Sequence, residues 1–134
     1  YIFDRIFSDY ELDSEKSFVP NDIDNHVILA GYDWKTKELE KLVDKDVIVA
    51  DYSLERVQDA DEKGLPHVLA DLHSDEAWEK LRVEKASVIV SAINDPELIN
   101  KIEGLDVEAE KILLTSDSEE VRDELREMLA EALN

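Results

Sequence analysis

Five short apolar segments recur along this chain, and they constrain its fold more than any other feature of the sequence. They begin at or near residues 27, 47, 67, 87 and 112, and the first four are spaced about twenty residues apart. Their sequences are VILA, VIVA, HVLA, SVIVSAI and ILLT. Nearly continuous runs of Val, Ile and Leu without polar alternation are typical of strands buried on both faces of a sheet.

Helical patterns fill the intervals between these segments. Ser53 and Ser74 are predicted to cap two helices, Asp95 before Pro96 to begin a third, and Gly64 to end one. Strands that alternate with helices require right-handed crossovers between parallel strands. We therefore predict an α/β fold of the Rossmann type, in which a doubly wound parallel sheet forms a single domain of three layers (α/β/α).

The first 25 residues differ in composition from the remainder of the chain. An aromatic-rich stretch at 1–10 is followed by an acidic segment that contains Ser, Pro and Asn. We predict an N-terminal arm and linker over 1–25 and the Rossmann-like domain over 26–134. The chain begins at Tyr1, so we expect it to be part of a longer protein. The arm then either packs on its own domain or leads from an upstream membrane segment.

A final helix is predicted over residues 118–132, where Val121, Leu125 and Met128 form an apolar stripe. This stripe is wide enough to pack on the domain's own sheet or on a helix of a partner.

Charge and composition exclude several classes of function. The 134 residues carry a formal net charge of −20, which disfavours nucleic-acid binding because phosphate neutralisation needs a basic face. The same charge indicates adaptation to a salt-rich cytoplasm, because salt screens the repulsion between the acidic side chains. There is no cysteine, and the three histidines lack metal-ligand spacing. We predict no metal site and no catalytic residues, and hence a protein that is not an enzyme.

Ligands of doubly wound sheets bind beyond the carboxyl ends of the strands, which directs attention to the residues that follow each apolar segment. Asp51 ends the second segment, twenty residues after Gly31, where a carboxylate can accept hydrogen bonds from the ribose of a dinucleotide. The candidate ligand-binding residues are Gly31, Tyr32, Asp33, Trp34, Asp51, Asp71 and Leu72.

Four phrases make residues 26–115 resemble the N-terminal half of the RCK domain, also called the KTN or TrkA-N domain. They are GYDWKT, VIVAD, VLADL and VEKASVIVSAINDPEL. RCK domains regulate potassium conductance. The resemblance implies a cytoplasmic regulatory domain at the inner face of the membrane, which senses NAD, NADH or an adenine nucleotide. It also implies a homo-oligomer, either a dimer or a higher ring, and a potassium channel or transporter subunit as partner, in cis or in trans.

The chain departs from the family at the nucleotide-binding turn. Asp33 and Thr36 stand where the family has the second and third glycines of its G-x-G-x-x-G turn, and Trp34 stands where arginine is common. A further departure lies in the helix predicted after the fourth apolar segment. There Leu98 occupies a position where the family often has an asparagine. Bulk and negative charge at Asp33 are expected to weaken pyrophosphate binding, so the identity of the ligand stays open.

Three other functions compete with the regulatory one. An NAD(P)-dependent oxidoreductase fragment would need a substrate domain, for which 134 residues leave little room. A phosphoacceptor receiver domain would need an acidic pair after the first strand and a lysine after the fifth, and both are absent from the sequence. A domain that only dimerises or docks, without a ligand, is the third alternative.

Overall fold

The computed structural model of the chain describes residues 17–114 and Glu127. Five strands alternate with four α-helices along this part of the chain. The strands are β1 (Val27–Ala30), β2 (Val47–Asp51), β3 (His67–Leu69), β4 (Val88–Ser91) and β5 (Glu110–Leu113). The α-helices are α1 (Trp34–Glu40), α2 (Leu54–Glu62), α3 (Asp75–Lys80) and α4 (Pro96–Glu103), with a 3₁₀ helix at Val83–Lys85.

All five strands are parallel and lie in the order β3-β2-β1-β4-β5. The order reverses at β1, from which the chain winds first toward β3 and then toward β5. This topology confirms the predicted Rossmann-type doubly wound sheet. It also places the carboxyl ends of β1 and β4 side by side, which is the point where ligands of such sheets bind.

Side chains of the strands alternate between two cores, which explains why the apolar runs are continuous. Ile28, Ile48 and Ile89 face one core, where they pack with Trp78 of α3 and Ile102 of α4. Their neighbours in sequence face the other core, which α1 and α2 cover with Leu39 and Ala60. The helices therefore flank the sheet on both faces and form the predicted three layers.

The predicted capping residues begin three of the helices. Ser53 and Ser74 accept hydrogen bonds from backbone N–H groups in the first turns of α2 and α3. Asp95 does the same for α4, whose first residue is Pro96. Gly64 follows α2 with a positive φ of 76°, as expected for a residue that ends a helix.

Strand β5 begins two residues earlier than the apolar run that starts at Ile112. Glu110 and Lys111 pair with Val88 and Ile89, so the polar first half of β5 belongs to the sheet. Glu110 is exposed and Lys111 is half-buried. A strand that is solvated on this side does not need the uninterrupted apolar run from which the inner strands were predicted.

Residues 17–23 of the predicted linker pack on the domain. Phe18 and His67 exchange backbone hydrogen bonds of 2.8 and 2.9 Å, and the Ser17 hydroxyl accepts one from the Leu69 N–H. Ile23 is buried in the core that contains α3 and α4. The rest of the predicted arm and the helix predicted over 118–132 lie outside the described residues, except for Glu127. Among the described residues, no helix is both long and apolar enough to span a membrane.

Gly31 is expected to tolerate alanine less well than Gly64. Both have a positive φ, +92° and +76°, which costs a residue with a side chain about 1–2 kcal/mol. A Cβ at Gly31 would also lie 2.8 Å from Ile93 Cγ1, whereas a Cβ at Gly64 would have no neighbour within 4 Å. Urea unfolding should therefore show a larger loss of stability for Gly31→Ala than for Gly64→Ala. Equal losses would mean that Ile93 moves aside at no cost.

His26 makes the stability of the domain depend on pH. The side chain is fully buried at the start of β1, and its Nε2 lies 2.8 Å from the Leu81 carbonyl oxygen. A carbonyl can only accept, so Nε2 carries the proton. Among the described residues, Nδ1 has no hydrogen-bond partner. Burial lowers the pKa of His26 below its ordinary value of 6.5, because the charged form would lose its hydration.

Acidification should consequently destabilise the domain through His26. Below pH 6.5 the unfolded chain binds a proton at this residue that the folded chain resists, so the free energy of unfolding falls as the pH drops from 7 toward 5. In His26→Gln, an amide N–H can still donate to Leu81 but cannot titrate. Thermal or urea unfolding from pH 7 to 5 should give a shallower loss of stability for this variant, and identical slopes would contradict the assignment.

Candidate functional site

The turn between β1 and α1 replaces the glycines of a nucleotide-binding loop with a reciprocal helix cap. The Asp33 carboxylate accepts hydrogen bonds from the N–H groups of Lys35 (2.9 Å) and Thr36 (3.3 Å). In return, the Thr36 hydroxyl accepts the Asp33 N–H at 3.0 Å and donates to the Gly31 carbonyl at 2.7 Å. Thr36 is fully buried. The two residues that depart from the glycine pattern therefore act together to begin α1.

This cap takes up the groups that an anion would use. Backbone N–H groups at a helix N-terminus are the usual donors to a phosphate, and here two of them bond to Asp33. The Lys35 ammonium lies 3.6 Å from the other Asp33 oxygen and offsets part of its charge. The turn thus contains its own carboxylate at the position where a pyrophosphate would bind.

Asp51 ends β2 and is fully buried. Its Oδ2 accepts the Tyr32 N–H at 2.9 Å, and its Oδ1 accepts the Ser53 N–H at 2.9 Å. The Arg56 guanidinium lies 3.5 Å from Oδ2. Both oxygens therefore contact protein donors, and the carboxylate joins the turn after β1 to the turn after β2. Its predicted role toward a ribose stays a prediction.

The Tyr32 side chain packs in the core that α1 and α2 cover. Its ring is fully buried, and the ammonium groups of Lys37 and Lys63 lie 5.3 and 5.1 Å from the ring centroid. The Lys63 ammonium also donates to the Tyr32 hydroxyl at 2.9 Å, and this hydrogen bond raises the pKa of Lys63. Trp34, by contrast, is 40% exposed.

A cavity of about 510 Å³ opens at the carboxyl ends of β2, β3 and β4. Two predicted site residues, Asp71 and Leu72, line it. Gly31, Tyr32, Asp33, Trp34 and Asp51 do not line the cavity. The remaining lining residues are Tyr52, Ala70, His73, Ile93, Asp95 and Leu98.

Most of the cavity wall is apolar, and its polar groups gather at one side. Tyr52 is 75% exposed, although it directly follows the buried Asp51. Ile93, in the loop after β4, and Leu98 of α4 also line the cavity. The sequence places Tyr52 and Ile93 just after strands, which identifies them as candidates for lining, but it gives no signal for Leu98 beyond its helical spacing.

The polar side of the cavity is built on His73, which is not among the predicted site residues. Its Nδ1 lies 2.8 Å from Asp71 Oδ1, and its Nε2 lies 2.9 Å from Asp95 Oδ2. Hydrogen bonds to Asp71 and then Asp95 raise the pKa of His73. The backbone N–H and then the side chain of His73 lower the pKa of Asp71. Asp95 is 22 residues from His73, so only the folded chain brings them together.

The described residues contain no cluster of three or more His, Asp or Glu side chains suited to a metal ion. The Asp71–His73–Asp95 group is a hydrogen-bonded chain, because each ring nitrogen points at a carboxylate oxygen at hydrogen-bond distance.

Solved structures of RCK and TrkA-N domains share this fold. The TrkA-N domain of the inner membrane protein ybaL from Escherichia coli is 28% identical, with a TM-score of 0.61, over 69% of this chain and 73% of that one. The GsuK channel bound to NAD is 20% identical, with a TM-score of 0.64. GsuK bound to ADP is 22% identical, with a TM-score of 0.63.

These alignments with GsuK cover 84% of this chain but only 21% and 31% of the GsuK chains. No curated protein matches the sequence. The family model for the TrkA-N domain matches residues 27–133, which is most of the chain and includes all five strands and the cavity. The chain therefore belongs to the TrkA-N domain family.

Proposed function

We propose that this domain is a cytoplasmic regulator of a potassium channel or potassium transport system, and that it acts by binding a ligand rather than by catalysis. Membership of the TrkA-N family and the likeness to the GsuK channel support this proposal. The domain would assemble as a homo-oligomer at the inner face of the membrane. A ligand would favour one arrangement of the assembly, and its differential affinity would be passed to the membrane subunit.

The cavity at the ends of β2, β3 and β4 is the observation that carries the proposal. Its volume of about 510 Å³ lies within the range of small-molecule sites. Tyr52, Leu72 and Ile93 offer apolar surfaces for a planar base, and the Asp71 carboxylate at the mouth can accept a hydrogen bond from an exocyclic amino group. An adenine nucleoside fits this combination of an apolar wall and an exposed carboxylate acceptor.

The turn after β1 argues for a ligand with few phosphates. A pyrophosphate placed there would meet the Asp33 carboxylate and would find the Lys35 and Thr36 N–H groups already bonded. Like charges about 4 Å apart cost about 1 kcal/mol in water and about 4 kcal/mol at an effective dielectric of 20. We therefore propose adenosine or AMP as the preferred class of ligand, ahead of ADP and NAD.

Calorimetric titration with adenosine, AMP, ADP and NAD, at low and high salt, tests this order. Adenosine and AMP should bind, whereas ADP and NAD should bind at least about fivefold more weakly, the equivalent of about 1 kcal/mol. Tighter binding of NAD than of AMP would contradict the proposed ligand class. If none of the four binds, the cavity is not a nucleotide site, and a domain that only docks or dimerises becomes the better description.

Two substitutions at Asp33 separate charge from geometry. Asp33→Asn removes the negative charge but keeps a good helix cap, so it should raise the affinity for ADP and NAD without changing that for adenosine. Asp33→Gly also releases the Lys35 and Thr36 N–H groups, at a cost of a few tenths of a kcal/mol in stability, and should raise those affinities further. Unchanged ADP and NAD affinities in both variants would show that neither phosphate group reaches this turn.

A further inference from the structure

His73 bridges two parts of the chain that both line the cavity. Asp71 and His73 lie between β3 and α3, whereas Asp95 is the N-cap residue of α4. The Asp95 carboxylate uses one oxygen to cap α4, through the Glu97 N–H at 3.0 Å, and the other to contact His73. The position of the imidazole is therefore tied to the beginning of a helix whose Leu98 also lines the cavity.

Only a doubly protonated imidazole satisfies both contacts. An ionised carboxylate can only accept hydrogen bonds, and both ring nitrogens of His73 face carboxylate oxygens within 2.9 Å. In the neutral ring, one nitrogen has a lone pair instead of a proton, and this lone pair would face a negative oxygen. Loss of the proton thus turns one of the two attractions into a repulsion.

Other charged and aromatic side chains lie in the same elements or line the same cavity. Lys101, in the last turn of α4, and Asp75, in the first turn of α3, form an ion pair. Tyr52 also lines the cavity. Histidine is the side chain whose unperturbed titration lies between pH 5 and 8.

We propose that protonated His73 is a latch that holds the segment after β3 against the N-terminus of α4, so that ligand binding in the cavity is linked to proton binding. The dependence of ligand binding on the latch rests on the proposed function, whereas the latch itself does not. His73 is a positioning residue in this scheme, because it holds the wall that a ligand contacts. Ligand affinity is higher while His73 is protonated and decreases as the pH rises through its pKa.

The direction of the His73 pKa shift agrees with this proposal. The two carboxylates raise the pKa of His73 above its ordinary value of 6.5. The latch therefore contributes fully below pH 6.5 and is lost as the pH rises through the raised value. This direction is opposite to that of the buried His26.

The latch is tested without any ligand by NMR titration of the His73 ring in the domain. The expected pKa is above 6.5 in the unmodified protein and should fall toward 6.5 in both Asp71→Asn and Asp95→Asn. Asparagine at 95 keeps a good N-cap, so α4 should still begin at the same residue. Asp59→Asn, which removes a carboxylate paired with Lys37 away from the cavity, is the matched control and should leave the His73 pKa unchanged. A His73 pKa that does not respond to Asp95→Asn would overturn the latch.

Proton-linked binding is tested with adenosine, which has no group that titrates between pH 6 and 9. Its affinity should be higher at pH 6 than at pH 9 by about threefold or more, and this difference should disappear in His73→Gln. The same pH dependence in His73→Gln, or none in the unmodified protein, would overturn the linkage. If adenosine binds at neither pH, the proposed function is wrong, and the NMR titration alone decides whether the latch exists.

Discussion

The buried Asp51 carboxylate holds together the part of the sheet on which the site depends. It lies where β2 ends, and its two oxygens receive the backbone N–H groups of Tyr32 and Ser53. The first of these fixes the turn that begins α1, and the second fixes the turn that begins α2. A buried carboxylate without such donors would be costly, so the geometry of both turns and the burial of Asp51 depend on each other.

The turn after β1, which the Asp51 carboxylate helps to fix, is also stabilised by Asp33 and Thr36. Compared with a glycine-rich loop, Asp33 and Thr36 add bulk and charge where the loop has open backbone. In the folded chain they are hydrogen-bonded to each other's backbone, and Thr36 also donates to the carbonyl of Gly31. The turn is thus closed by its own carboxylate and keeps the Rossmann path of the chain. The cavity lies beside this turn's edge of the sheet, at the carboxyl ends of β2, β3 and β4, and is not lined by the turn residues.

Most of the fold could be predicted from the sequence because its signals are local. Continuous apolar runs mark strands buried on both faces, and Ser53, Ser74 and Asp95 cap the helices they were expected to cap. The start of β5 could not be predicted in this way, because Glu110 and Lys111 lie in a strand with a solvated side. The site could be predicted less well than the fold, because its polar side depends on a contact between His73 and Asp95, which are 22 residues apart in the sequence. The spacing of Asp33 three positions before Thr36 is a local signal for a helix cap. Comparison with the G-x-G-x-x-G pattern shows only that two glycines are absent and does not reveal this cap.

The segment that contains Ser17 and Phe18 precedes the sheet and covers the outer edge of β3. Residues on the outer side of an edge strand present unpaired backbone groups, which can recruit a strand from another molecule. At β3 this template is covered, since Phe18 pairs with His67 on both its N–H and its carbonyl, and the Ser17 hydroxyl occupies the Leu69 N–H. A short stretch of the chain's own polypeptide therefore protects the edge nearest the cavity. Addition of a strand from another molecule is therefore blocked at β3, where Phe18 and Ser17 already use its outward backbone groups.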